Sequence, residues 1–355
     1  MLQLALAICL LLLSSLGTQV AGLAIEIRDD TPAFLTQTDD ALNTKYTGLK
    51  KGQLLPQSLQ TKYRKFNDEI WYDDNFGSMA QYMRQYPIIT ELDDMIDQQE
   101  NPFGGDHPYF KASRLPGIEN SPVLSSYIAS QSPVYLGKGS NTLYWDIVWI
   151  KAKNNAVLVN LLEEDSMFRL HEDEEPIPTS KDNPLLIYEI DKTTGELTCM
   201  LKYTVNLVDT QSYKEDLIVH YTLRLIEEAT GKSKMLNMVH YTAWPNRRVI
   251  SNDDMSLLIA KVNELNVAGA TVFVNCLYGQ GRTGTFIMAR EMDSVTRKFK
   301  RSGKNWFTLK GANSDDPIEQ YLNSLRLIRA NTIDSSRQFL FLYQWANYLR
   351  QELYK

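Results

Sequence analysis

Cysteine is scarce in this 355-residue chain: three residues, Cys9, Cys199 and Cys276. If residues 1–22 are removed, two remain, too few for a disulfide framework. A small stapled secreted scaffold is excluded, and the core must be held by packing. No Asn-x-Ser/Thr sequon occurs, so N-linked glycans are not expected. Excess positive charge is absent as well, with net charge −6 and pI near 5.4. Nothing global points to nucleic acid or to an anionic membrane, although a local basic pocket is compatible with that balance. The longest apolar run, Leu4–Leu13, falls short of the ~20 residues that cross a bilayer. Internal repeats and low-complexity tracts are missing too.

What is present is ordinary globular composition, 43% hydrophobic and 23% charged. The run MLQLALAICLLLLSSLGTQVAG ends in small residues, with Val20-Ala21-Gly22 as a plausible cleavage site. It reads as a signal peptide at 1–22, which implies secretion or the secretory-pathway lumen. Residues 23–70 read as a polar, irregular lead-in, and 71–352 as one α/β domain. Within 66–99 apolar residues recur at helical spacing, broken at Gly77 and Pro87. LYWDIVWI and NAVLVNLL have strand character, and LLIYEI, LTCMLKYTVNLV, LIVHYTLRLI and MLNMVHYTAW read as antiparallel strands. Ser251–Asp254 is a capping box opening a helix that Gly269 should stop. ATVFVN is a short buried strand, TGTFIMAREMDSVTRKF is helical, and two helices follow near Ile318–Ala330 and Arg337–Glu352.

Chemistry concentrates in NCLYGQGRTG, residues 275–284, lying between a strand and a helix. A glycine-rich loop on a helix N-terminus aims successive N–H groups at an anion. Gly279, Gly281 and Gly284 permit the tight path. Arg282 has the fork to grip two phosphate oxygens. The helix dipole and Arg282 both favour a thiolate at Cys276, which under a bound phosphoryl group is an in-line nucleophile. Thr283 is placed to bond the sulfur as it leaves. A Cys-x5-Arg spacing also arises by chance, and a cysteine after a strand is often a small core residue; the glycines and the flanking elements argue against both.

VNCLYGQGRTG resembles the signature of the tyrosine-specific protein phosphatases, and other motifs occur in the family's order. AWPN at 243–246 resembles the mobile Trp-Pro-Asp loop. SYIASQSP at 126–133 looks like the family's YIxTQGP segment, and YWDIVWIKAKNNAVLVNL like the strand-helix region after it. ENPFGGDHPY at 100–109 sits where the family recognises the phosphotyrosine ring, and RQFLFLY at 337–343 resembles its final helix. The resemblance runs over roughly residues 75–350. It implies a twisted mixed β-sheet flanked by helices, a phosphotyrosine protein or peptide as partner, and no metal or other cofactor. It implies Cys276 as nucleophile, Arg282 as phosphate clamp, and the backbone of Leu277, Tyr278, Gly279, Gln280 and Gly281 as cradle. Phe103 matches the ring-stacking tyrosine and keeps its apolar face.

The departures concern turnover. Asn246 stands where the family has its general acid, and an amide cannot protonate a tyrosyl oxygen. Asp253 or Asp254 is nearby as a substitute, though the capping box already accounts for both. Arg247 and Arg248 replace His-Gly, either adding phosphate-holding charge or lying as solvated surface. Asn275 replaces the histidine before the cysteine, an amide able to order the loop but less able to favour the thiolate. Asp334 falls where the family has the glutamine that places the hydrolytic water. Gln338 fills the second glutamine position, or is simply a polar residue at a helix N-terminus. Three functions fit these residues: a weak phosphatase, a catalytically inactive pseudophosphatase that binds phosphotyrosine, and a secreted interaction protein using the fold as scaffold. Oligomeric state is not encoded in any of these features.

Overall fold

The structure, a computed structural model, describes residues 32–51, 112–118, 126–133, 140–163, 177–178, 180–191, 197–266, 270–308, 316–329 and 331–354. The expected signal peptide, the expected helices of 66–99, Phe103 and Gly269 lie outside the described residues.

An eight-stranded mixed sheet organises these segments. Its strands are β1 (Ala112–Leu115), β2 (Tyr127–Ser130), β3 (Ala156–Asn160), β4 (Leu185–Ile190), β5 (Leu197–Tyr213), β6 (Ile218–Glu227), β7 (Lys232–Tyr241) and β8 (Val272–Asn275). The spatial order is β1-β2-β8-β3-β7-β6-β5-β4. The four strands β2, β8, β3 and β7 run parallel, and the outer pairings are antiparallel. β2, β8 and β3 are short and buried along their whole length because both of their faces are covered. Successive side chains alternate between two cores. Val157, Val159, Val272 and Val274 enter one, and Ala156, Leu158 and Phe273 the other.

The first core is closed by α3 (Asn252–Leu265), α4 (Gly281–Arg301), α5 (Pro317–Ile328) and α6 (Ser336–Leu353). The second is closed by α2 (Ser140–Lys151). That helix corrects the sequence reading, in which LYWDIVWI was strand-like and preceded a helix. Here the helix comes first and β3 follows. Leu143, Tyr144, Trp145, Ile147 and Val148 are all buried, so the segment is apolar on several sides and shows no clean helical stripe. Short apolar runs do not distinguish a buried helix from a buried strand by periodicity.

The irregular lead-in is also corrected in part. Residues Asp39–Lys51 form a helix, α1, that lies on α6. Phe34, Leu35, Leu42 and Tyr46 are buried in the first core. Lys45 Nζ reaches Asp316 at 2.6 Å and Glu319 at 2.7 Å, and the Tyr46 hydroxyl donates to Ile333 O at 3.1 Å. These partners lie some 270 or more residues away in the chain, where no local pattern reports them.

Candidate active site

Cys276 leaves the end of β8 at the centre of the parallel strands, and Gly281 begins α4. The four residues between turn tightly. Gly279 has φ +66, a region that side chains rarely adopt, and a methyl there would overlap Ser130 O at the end of β2. The loop carbonyls are held from outside. Ser132 N donates to Leu277 O at 3.1 Å. Arg329, buried at the end of α5, donates Nη2 to Tyr278 O at 2.8 Å and Nε to Gly279 O at 2.6 Å; its Nη1 donates to Ser113 Oγ at 3.1 Å. In a trans peptide the N–H points opposite to the C=O. Three carbonyls drawn outward therefore turn the N–H groups of Tyr278, Gly279 and Gln280 to the other side, over Cys276 and the N-terminus of α4. The result is an anion cradle.

Arg329 carries no signal in the sequence beyond a basic residue after a helix, so sequence reasoning missed it. Its replacement leaves buried carbonyls unpaired at about 1–3 kcal/mol each. Arg329→Met is expected to cost about 3 kcal/mol of stability, read as an earlier urea midpoint. An unchanged midpoint would show that the loop holds its shape without this arginine.

Arg282 is 2% exposed. Its Nη1 donates to Trp244 O at 2.8 Å, tying the Trp-Pro-Asn turn to the cradle. Trp244 is fully buried, and its Nε1 donates to Arg248 O at 2.9 Å. Arg282 Nε and Thr283 Oγ1 are buried with no hydrogen-bond partner among the described residues. An anion bound in the cradle would satisfy both donors.

Asn246 lies exposed on the same turn. Arg247 follows in a left-handed conformation, φ +57, with its Nε 3.7 Å from Asp334 Oδ2. Ser335 Oγ donates to Arg247 O at 3.1 Å, and Gln338 Nε2 to Arg248 O at 3.4 Å. The turn is thus fastened to the start of α6. Gln338 is fully buried there, and its Oε1 stands 2.8 Å from where a Cβ on Gly281 would be.

Asn275 is buried, and its amide nitrogen donates to Asn160 Oδ1 at 3.0 Å; the same oxygen accepts from Leu162 N at 3.2 Å. His240 Nε2 faces Leu162 O at 2.8 Å, and a carbonyl only accepts, so that nitrogen carries the proton. Burial pushes His240 down to about 4, leaving the imidazole neutral. This uncharged network sets the position of the strand end that carries Cys276.

Asp254 is occupied elsewhere. Its backbone N–H donates to the Ser251 cap, and its carboxylate accepts from Ser251 Oγ at 2.7 Å and from Lys214. Burial raises it, but Lys214, Ser251 and Tyr241 outweigh that and hold the carboxyl below the usual range. It is an ionised cap, a poor proton donor.

A family model described as protein-tyrosine phosphatase matches residues 83–348. Tyrosine-protein phosphatase 2 of Schizosaccharomyces pombe is 27% identical over 228 residues, 63% of this chain and 28% of that protein. Human receptor-type tyrosine-protein phosphatase-like N is 28% identical over 200 residues, 55% of this chain and 18% of that protein. The chain thus spans between about a sixth and a third of the length of these relatives. Among solved structures, PTPN18 in complex with HER2-pY1248 phosphopeptides superposes with a TM-score of 0.53 at 17% identity, covering 87% of this chain and 99% of that one.

Proposed function

Since this chain belongs to the protein-tyrosine phosphatase family, we propose that it binds phosphotyrosine peptides and hydrolyses them weakly through a phosphocysteine intermediate. The observation that carries this reading is the pair of buried, unpartnered donors, Arg282 Nε and Thr283 Oγ1. Arg282 is anchored through Nη1 to Trp244 O, which leaves the rest of its fork for two phosphate oxygens. The backbone N–H groups from Leu277 to Gly281 take the remaining oxygens. Cys276 Sγ attacks phosphorus, the bond to the tyrosyl oxygen breaks, and Thr283 stabilises the sulfur when it later leaves. Phe103, outside the described residues, is the proposed stacking surface for the substrate ring.

Asn246 favours a second reading, a pseudophosphatase that holds phosphotyrosine without turnover. Neither the leaving oxygen nor a hydrolytic water finds an acid or base on that turn. For either reading we propose secretion directed by residues 1–22; a mature N-terminus near Leu23 in culture medium is the expected result. Retention of the full chain inside cells would reject it.

Binding is tested by calorimetry with a phosphotyrosine peptide and its unphosphorylated twin. Only the phosphorylated peptide should bind, and Arg282→Met should weaken it by at least about tenfold, the loss of a charge-assisted pair of hydrogen bonds. Equal affinity for both peptides would reject both readings.

A further inference from the structure

The loss of the acid at 246 leaves open what moves the proton when water attacks a phosphocysteine. A different carboxylate reaches the cradle. Asp334 lies on the turn between α5 and α6, just before the Ser335 cap. Gly281 has no side chain, and a Cβ built on it would meet Asp334 Oδ1 at 2.5 Å and Gln338 Oε1 at 2.8 Å. Two oxygen acceptors from the start of α6 thus occupy the space beside the first residue of α4. Acceptors set against an anion site are repulsive unless a proton-bearing group lies between. A water supplies two protons to two acceptors and keeps a lone pair for phosphorus. The other contacts fix this arrangement. Gln338 Nε2 donates to Arg248 O at 3.4 Å, which turns its oxygen towards Gly281. Asp334 Oδ2 faces Arg247 Nε at 3.7 Å, which leaves Oδ1 on the cradle side.

We propose that Asp334 is the proton acceptor for hydrolysis of the phosphocysteine, with Gln338 orienting the water; this rests on the phosphocysteine reading above. The water oxygen bonds to phosphorus as the phosphorus–sulfur bond breaks. The bonding pair returns to Cys276 as thiolate, the water proton passes to Asp334 Oδ1, and inorganic phosphate departs. The Asp334 side chain is 20% exposed, so the proton can then pass to solvent.

The test is rapid mixing of the purified protein with p-nitrophenyl phosphate, whose leaving group needs no acid. In Asp334→Asn the burst of nitrophenolate should keep its rate and amplitude, near one per chain. The steady state should fall by about 10²-fold, the usual size of a general-base contribution. A phosphorylated chain should accumulate, seen by intact mass. The burst amplitude reports a folded cradle, so misfolding is not mistaken for the effect. An unchanged steady state with a normal burst overturns the role of Asp334 alone. A burst lost only in the variant also overturns it, by making Asp334 part of the cradle. If the phosphorylated chain is absent from Asp334→Asn as well as from the wild type, the phosphocysteine reading is overturned, and this inference with it.

Discussion

Asn246→Asp raises the turnover of phosphotyrosine by about 10²–10⁴-fold, the range spanned by general acid catalysis. The tyrosyl oxygen is a poor leaving group, with a conjugate acid near pKa 10, and needs a proton as its bond to phosphorus breaks. Asn246 is exposed on a turn whose Trp244 carbonyl is bonded to Arg282, so the turn is already seated on the phosphate clamp. Asparagine and aspartate share a shape, which leaves that seating unchanged while supplying the missing proton. The gain should be large on phosphotyrosine and small on p-nitrophenyl phosphate, whose phenolate leaves unaided. A similar gain on both substrates would point to altered binding. No gain on either would mean that the turn, held by Ser335 and Gln338, does not bring residue 246 to the leaving oxygen.

Cys276→Ser reduces aryl-phosphate hydrolysis to the uncatalysed background while leaving phosphotyrosine binding in place. Only a thiolate is nucleophilic enough under these conditions, and a serine hydroxyl keeps its proton without an adjacent base. Cys276 is 3% exposed and its neighbour Asn275 is hydrogen-bonded into a neutral network, so replacing sulfur by oxygen changes little volume. Cradle N–H groups and Arg282 remain to hold the phosphate. The check is a pair of measurements on one preparation, p-nitrophenyl phosphate turnover and peptide calorimetry. Hydrolysis that survives the substitution would move the chemistry away from Cys276.

Secondary structure was legible where local rules suffice. The Ser251 cap, the 21-residue helix after the cradle and the strand before it follow from caps, glycines and alternation. LYWDIVWI misled because a helix buried on several sides has lost the polar face by which helices are recognised. The helix at Asp39–Lys51 was hidden for a related reason: its partners Asp316, Glu319 and Ile333 arrive from the far end of the chain. Arg329 was invisible because holding a loop carbonyl imposes no spacing on the sequence.

By itself the sequence determined the chemical parts: a cysteine and an arginine with five residues between them on a glycine loop, and an amide where an acid would stand. Residue type and short spacing carry that information, since bonding capacity belongs to the side chain and loop length sets local reach. Tertiary structure alone decided how those parts face one another. It drew three carbonyls outward so that their amides turn inward, fastened the Trp-Pro-Asn turn to α6, and set Asp334 against Gly281. Each of these joins residues roughly 50 to 150 positions apart, and only packing of the whole core brings such groups within a hydrogen bond.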